Sequence, residues 1–313
     1  MMRHLFLLSQ PRSGTNYFYH LLSGADGPFR YATLGETIYN GNLYDKAICL
    51  HNLLDLLGAH PEKYCVDKGL QEQDGIQDGF DLEFFKRVVS QYHHDNAKNS
   101  PILVKWFPLG MQQFTEILKK RGQRLSIPLL NDIFGEITWI EMYRENLIKQ
   151  AVSFDIAMQT KQWFKYKSEE EAMPNEGEGF EPVYSFDAVL NWLHWFQRER
   201  VFWPAWLEEM GIQSSYTMTY EELTGDYVTT LTELSEKTGL QFDTPTADQI
   251  PLVPQRNETN GLFIARFKAD CDSRGIDVSA WESAPERASS RIASRIASRI
   301  ASRIASRIAS RIE

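Results

Sequence analysis

The sequence predicts an α/β protein with a central parallel sheet flanked by helices. Three observations predict it. Leu5 to Leu8 is a four-residue apolar run, the pattern of a strand covered on both faces. A polar turn, SQPRSGTN, follows, and then Tyr17, Phe18, Leu21 and Leu22 recur at helical spacing. Two later apolar runs, Ile102 to Phe107 and Ile137 to Met142, read as further strands, the second leading into a long helix.

The first unit, strand, loop and helix, is the organising one. Ser13, Gly14 and Thr15 place unpaired backbone N–H groups at the helix start, where the positive end of the helix dipole faces an anion, and Arg12 adds a fixed cation with forked donors. The loop is not an ATP-binding GxxxxGK[ST] motif. Pro11 replaces the expected surroundings of a leading glycine, Thr15 holds the lysine position and Asn16 stands where a metal-binding hydroxyl belongs. Magnesium-dependent γ-phosphate chemistry is therefore disfavoured. Taken alone, the segment also admits a strand–turn–helix that binds nothing.

Residues 24–42, GADGPFRYATLGETIYNGN, form a Gly-rich stretch leaving the loop, and ligands in such sheets bind beyond the carboxyl ends of the strands. Glu36 is its only glutamate, so it is the candidate base for an acceptor hydroxyl; a solvated loop or helix-start acid is the alternative. Residues 45–57 and 80–92 read as helices with Leu53, Leu54, Leu57 and Phe84, Phe85, Val88, Val89 facing inward. His93 and His94 have no cysteine or carboxylate at ligand spacing beyond Asp95 and read as a surface loop. Lys105 interrupts the run ILVKWF. It is either an edge residue whose stem lies along the sheet or a cation reaching the site at the strand's carboxyl end.

After the strand at 137–142, Tyr143 to Glu145 turns, and from Asn146 the pattern suits a mostly buried helix with Arg144 at its opening and Ser153 some two and a half turns along. Guanidinium and hydroxyl together suit a phosphate, although a helix-start ion pair and a serine bonding its own backbone give the same letters. Residues 161–182 are a charged insertion, a lid or a surface excursion. Phe186 to Met210 reads as a long amphipathic helix that Pro204 kinks or splits, with Trp192, Trp195, Trp203 and Trp206 as packing residues. Ser215 to Tyr220 alternates as a strand, Glu221 to Asp226 turns, and Val228 to Thr238 forms a helix ended by Gly239. A polar loop from Pro251 leads to a helix carrying Phe263, Ile264 and Phe267.

From Ala288 the chain becomes an ASRI repeat. Period four against 3.6 makes its arginine and isoleucine stripes drift around a helix, so no single apolar face persists. The expected organisation is one domain over 1–285 and a low-complexity tail over 286–313, a solvated appendage. Length (313 residues) and 42% hydrophobic content allow a sizeable core. The net charge is −9, and with the six arginines at 291–311 and Glu313 set aside, residues 1–290 hold 27 basic residues against 41 acidic ones. A nucleic-acid-binding body is disfavoured, and any anionic ligand must be held by a local cluster of cations. Cys49, Cys65 and Cys271 are odd in number and widely spaced, which suggests reduced thiols rather than a disulfide framework or zinc site. No stretch approaches the ~18 apolar residues of a membrane span. A cytoplasmic protein without stable membrane insertion is expected.

With the segments SQPRSGT, LGETIYN, LVKW, YRENLIKQAVSFDIAMQTKQW, YSFDAVLNWL and YEEL in place, the chain from about Leu5 to about Asp270 resembles the Stf0-type (trehalose 2-sulfotransferase-like) sulfotransferases. That resemblance implies a P-loop-like three-layer sandwich and a metal-free donor, 3′-phosphoadenosine 5′-phosphosulfate (PAPS). It implies that Arg12, Ser13, Gly14 and Thr15, with Asn16, hold the 5′-phosphosulfate and that Arg144 and Ser153 hold the 3′-phosphate. Glu36, Arg12 and Lys105 are the implied catalytic groups, and Gln10, Glu36 and Tyr39 the acceptor side. The family's acceptor loop, GEPxEFF, has two glutamates three apart. Here Glu36 matches the first, while Tyr39 falls at the second, the family's proposed base. Glu36 does that work, or binds the acceptor while another group takes the proton. Asn16, Tyr17 and Phe18 replace the small and aliphatic residues usual after the loop, so trehalose is not presumed as the acceptor. The implied activity is sulfuryl transfer to a hydroxyl of a carbohydrate, glycolipid or small metabolite, with a homodimer as an open expectation. A catalytically inactive nucleotide-binding or partner-recruiting module is the alternative, and a small-molecule kinase is weakened by the missing lysine and hydroxyl.

Overall fold

The computed structural model describes residues 3–23, 48–49, 82–83, 86, 89–90, 103–120, 122–163, 165–167, 180–242, 244–250, 252–253 and 258–282. Strand β1 (Arg3–Ser9) is flanked on both sides. Its neighbours are β3 (Leu103–Trp106) and β4 (Glu136–Tyr143), with β2 (Ile48–Cys49) beyond β3 and β6 (Tyr216–Thr219) beyond β4. Every pair is parallel, in a register that sets Leu5 beside Leu103 and Thr138. A central parallel strand is buried on both faces, so the apolar run Leu5 to Leu8 does not alternate in chemistry, only in direction. Phe6 and Leu8 enter one core with Val104, Trp106 and Trp139, while Leu5 and Leu7 enter the other with Phe18, Leu21 and Ile140.

These two cores make the layers. One face carries α2 (Pro108–Lys120), α3 (Ile127–Phe134) and α6 (Phe202–Met210); the other carries α1 (Thr15–Ser23), α7 (Tyr220–Gly225) and α8 (Tyr227–Thr238). The three-layer expectation stands on this arrangement. Local signals fix the helix ends. Ser126 caps α3 by accepting from the Leu129 N–H, Pro128 lies in its first turn, and Asp226 accepts from Thr229 N–H at the start of α8, which Gly239 ends at φ 69°.

A third core joins α4 (Leu147–Thr160) to α5 (Phe186–Arg200), α9 (Glu258–Ser273) and α10 (Ser279–Glu282). Helix α4 is apolar nearly all round because it is covered nearly all round, residues 147–157 being buried except for Lys149. Its one buried acid is tied down: Asp155 accepts from Trp192 Nε1 (3.1 Å) and Gln159 Nε2 (2.8 Å). Burial pushes that carboxyl above its ordinary range while the two donors oppose the shift. The 161–182 segment contributes β5 (Lys165–Tyr166), antiparallel to β7 (Leu252–Val253).

Some expectations are corrected. Ile48 and Cys49 form the edge strand β2 rather than part of a helix over 45–57, since a short apolar run fits either period. Residues 221–226 are not a turn: Thr219 and Glu222 form a reciprocal capping box that starts α7. The Trp-bearing helix, which the sequence has Pro204 kink or split, is split into two helices. Pro204 lacks an N–H and its ring crowds the carbonyl four residues back, so the break falls at Val201 and the proline sits in the first turn of α6. Positions 82, 83, 86, 89 and 90 are helical, as the pattern over 80–92 predicts. His93, His94 and the tail lie outside the described residues.

The sheet hinges on Phe6, fully buried, with ring centroids 5.0 Å from Phe134, 5.1 Å from Trp139 and 5.5 Å from Trp106. Phe6→Ala should therefore cost about 3–5 kcal/mol of folding stability. Urea unfolding checks this, and a loss under about 1 kcal/mol would contradict close packing around β1.

Candidate functional site

Chain geometry at the end of β1 builds the site. Ser13 donates Oγ to the Gln10 carbonyl (2.6 Å), closing the turn, and the path then needs two left-handed residues, Arg12 at φ 63° and Gly14 at φ 87°. Such a φ costs a side-chain-bearing residue about 1–2 kcal/mol. Gly14 has a second reason to be glycine: a Cβ there would lie 2.2 Å from Cδ2 of Tyr220. Helix α1 starts at Thr15, so its first N–H groups open toward the loop.

Around that turn the residues singled out from sequence come together. Arg12 donates Nε (3.0 Å) and Nη2 (2.8 Å) to Ser153 Oγ, and Nη1 to the Trp163 carbonyl. Arg144 lies at the end of β4, two residues before the α4 cap Asn146, and donates to the Arg12 carbonyl (3.4 Å). Lys105, beside Leu7 in the sheet, donates Nζ to Asn16 Oδ1 (2.8 Å), so it reaches the α1 start from the carboxyl end of β3. Gln10 donates Nε2 to the Phe196 carbonyl (2.9 Å). Glu36 and Tyr39 lie outside the described residues. Arg12 and Ser153, expected at opposite ends of one nucleotide, bond each other directly.

Several contributors escape the sequence reading. Gln150 holds the Pro11 carbonyl (2.8 Å), fastening α4 to the loop three residues before Ser153. Tyr220 lies under the Arg144 guanidinium at 4.7 Å, and Glu221 stands 3.6 Å from Arg144 Nε while accepting from the Glu145 N–H. The motif YEEL carries both. Arg200 donates to the carbonyls of Arg144 and Glu145 and so completes the end of β4. Nothing in the sequence marks it among the other charges of α5.

Electrostatically the site is a cluster of cations in an acidic chain. Burial and then the neighbouring Arg144 cation lower the Arg12 pKa to about 10; burial lowers Arg200 to about 10 as well. Both remain charged at neutral pH, so adjacent guanidiniums stand here at a cost that an anion would relieve. Forked donors, a lysine and a helix N-terminus gathered at one edge of the sheet are the groups that suit phosphate or sulfate oxygens. Among the described residues no three His, Cys, Asp or Glu side chains cluster as metal ligands, and no helix is long and apolar enough to cross a membrane.

Fold and site define a class: parallel α/β proteins with a cationic strand–loop–helix at the carboxyl edge of the central strand. Within that class the chain belongs to the Stf0 sulphotransferase family, whose model matches residues 105–270. The match takes in Lys105, Arg144 and Ser153 and leaves the loop at 10–16 to its left, where the Arg12–Ser153 bonds connect the two. A curated relative, trehalose 2-sulfotransferase of Mycobacterium tuberculosis (strain ATCC 35801 / TMC 107 / Erdman), is 22% identical over 171 residues, or 54% of this chain. The alignment spans 59% of that relative's length. Two solved structures align as well: sulfotransferase STF9 from Mycobacterium avium (15% identity, 88% of this chain and 69% of that one, TM-score 0.42) and a sulfotransferase from Alicyclobacillus acidocaldarius (14%, 90% and 99%, TM-score 0.36).

Gly14→Ala should destabilise the protein by at least the ~1–3 kcal/mol of a strained backbone, plus the displacement of the Tyr220 ring. In a Tyr220→Ala background the second part should vanish. A double-mutant cycle by urea unfolding measures this, and strict additivity would show that Gly14 and Tyr220 do not share the space.

Proposed function

We propose that the protein is a PAPS-dependent sulfotransferase acting on a hydroxyl of a carbohydrate, glycolipid or small metabolite. The observation that carries the reading is the junction of loop and helix: Arg12 on Ser153, with Arg144 on the Arg12 carbonyl, inside a chain of the Stf0 family. Membership of that family supports the chemistry, and the cation cluster supports a donor with anionic groups at two points.

In this reading PAPS supplies the activated sulfuryl group. Ser13, Gly14, Thr15 and Asn16 present the α1 N-terminus to the 5′ end, and Arg144 with Ser153 holds the 3′-phosphate. Arg12 and Lys105 meet the negative charge that grows on the departing phosphate oxygen, work that fixed donors do best in a partly dry site; losing one such donor typically costs about 3–4 kcal/mol of barrier. Glu36 binds the acceptor hydroxyl and takes its proton, unless a neighbouring group does so. The catalytic unit is residues 1–285, with 286–313 a dispensable appendage.

A thermal-shift titration with adenosine 3′,5′-bisphosphate, set against ATP with magnesium, tests the donor. At a hundred times its dissociation constant the bisphosphate should add about 2.7 kcal/mol of stability, and Arg144→Ala should abolish most of that gain. Stabilisation by ATP with magnesium alone would overturn the reading.

A further inference from the structure

The chain from the end of β1 to the start of α1 is held by its carbonyl oxygens, one after another. Trp203 Nε1, on α6, donates to the Ser9 carbonyl at 3.0 Å, and Ser13 Oγ takes the Gln10 carbonyl at 2.6 Å. Gln150 Nε2, on α4, takes the Pro11 carbonyl at 2.8 Å. Arg144 Nη1, at the end of β4, reaches the Arg12 carbonyl at 3.4 Å. Every carbonyl from Ser9 to Arg12 thus has a side-chain donor, and all but the Gln10 carbonyl are held from another element of the fold.

In a planar trans peptide the carbonyl of one residue and the N–H of the next point in opposite directions. A peptide that rotated as a unit would turn its oxygen to where its N–H had been, and an anion would meet the negative end of the dipole instead of the positive one. A donor on the oxygen blocks that rotation. Trp203 fixes the Ser9–Gln10 peptide and Gln150 the Pro11–Arg12 peptide, directly before the left-handed Arg12 at φ 63°. Both side chains are buried. Trp203 packs in the core with Trp106, Trp139 and Trp206, where a phenylalanine ring would also pack; Gln150 lies in α4, where methionine has the same reach. Their N–H groups therefore serve the loop rather than the packing. Ser153, three residues beyond Gln150, holds the Arg12 guanidinium, so α4 grips Arg12 through its side chain and through the peptide before it.

We propose that Gln150 and Trp203 are positioning residues for the donor: through the Pro11 and Ser9 carbonyls they hold the loop in the shape that presents the α1 N-terminus to the donor's 5′ end before the donor arrives. This rests on the sulfotransferase reading and adds to it two buried residues that act only through the loop. A loop already held in its bound shape loses little freedom on binding, so more of the contact energy appears as affinity.

The test uses the full chain. Gln150→Met and Trp203→Phe remove the two donors and keep most of the volume; Trp206→Phe makes the same aromatic exchange in the same helix and core. By calorimetry, adenosine 3′,5′-bisphosphate should bind about tenfold more weakly to the first two variants. Trp206→Phe should stay within about twofold of wild type. Adenosine 3′-phosphate, which lacks the group that the loop meets, separates positioning from general damage, and its affinity should change less than about twofold in all three variants. Hydrogen exchange on ligand-free protein reads the loop without any nucleotide: the segment 12–16 should exchange faster in Gln150→Met and Trp203→Phe than in wild type or Trp206→Phe. Wild-type exchange there in both loop variants overturns the proposal by itself. Equal losses of the two nucleotides, or an equal loss of bisphosphate affinity in Trp206→Phe, show a merely structural role and overturn it too. Unchanged bisphosphate affinity in both loop variants overturns the positioning role and leaves the sulfotransferase reading standing. Wild type that binds no bisphosphate sinks that reading, and the proposal with it.

Discussion

Everything at the carboxyl edge of the sheet depends on one arrangement, the Arg12 guanidinium held against Ser153 beside a second guanidinium, that of Arg144. Two like charges in a half-dry place repel, and each loses hydration. The fold answers with acceptors rather than with a matching number of carboxylates. Arg12 takes the Ser153 hydroxyl and the Trp163 carbonyl; Arg144 takes the face of Tyr220 and the carboxylate of Glu221 at 3.6 Å. Among the described residues one acid, Glu221, stands against these two guanidiniums. The cluster is local, for the chain as a whole carries −9.

The need to hold Arg12 explains the character of α4. To bring Ser153 to the loop, the helix must lie flat on the loop's far side, which Gln150 achieves by gripping the Pro11 carbonyl, and must be covered by α5 and α9 behind. A helix so enclosed reads as apolar with few polar positions, and each buried polar residue it keeps has a partner: Gln150 the loop, Ser153 the arginine, Asp155 the Trp192 indole. Packing and site are therefore the same residues seen from two sides.

This also explains what the sequence discloses and what it hides. Leu5 to Leu8 is legible because a strand covered on both faces can be nothing but apolar, and PRSGT is legible because a left-handed turn before a helix restricts residue type at Gly14. Lys105, Arg144 and Ser153 are legible through the family pattern, since each alone has an innocent alternative. Helix α7 is hidden although Thr219 and Glu222 spell its capping box, because six residues give too little periodicity to notice. Strand β2 is hidden by the helical spacing of Leu53, Leu54 and Leu57 downstream of it. Arg200 is the hardest: QRER at a helix end reads as a solvated face. Only the tertiary placement of Gln10 and Trp203 against that turn removes the water from it.

Because Arg12 joins the β1 loop to α4, and Arg144 joins β4 to the Arg12 carbonyl, the binding of any anion there and the docking of the third core would be thermodynamically linked. Any anion that seats between the two guanidiniums removes their repulsion only when both are in place, so it must favour the state in which α4 is docked on the loop. Conversely, whatever loosens α4 separates the cations and weakens the anion's hold. The linkage runs through hydrogen bonds of 2.8–3.0 Å between named atoms rather than through a diffuse field, so salt will screen the approach of a ligand far more than its final grip.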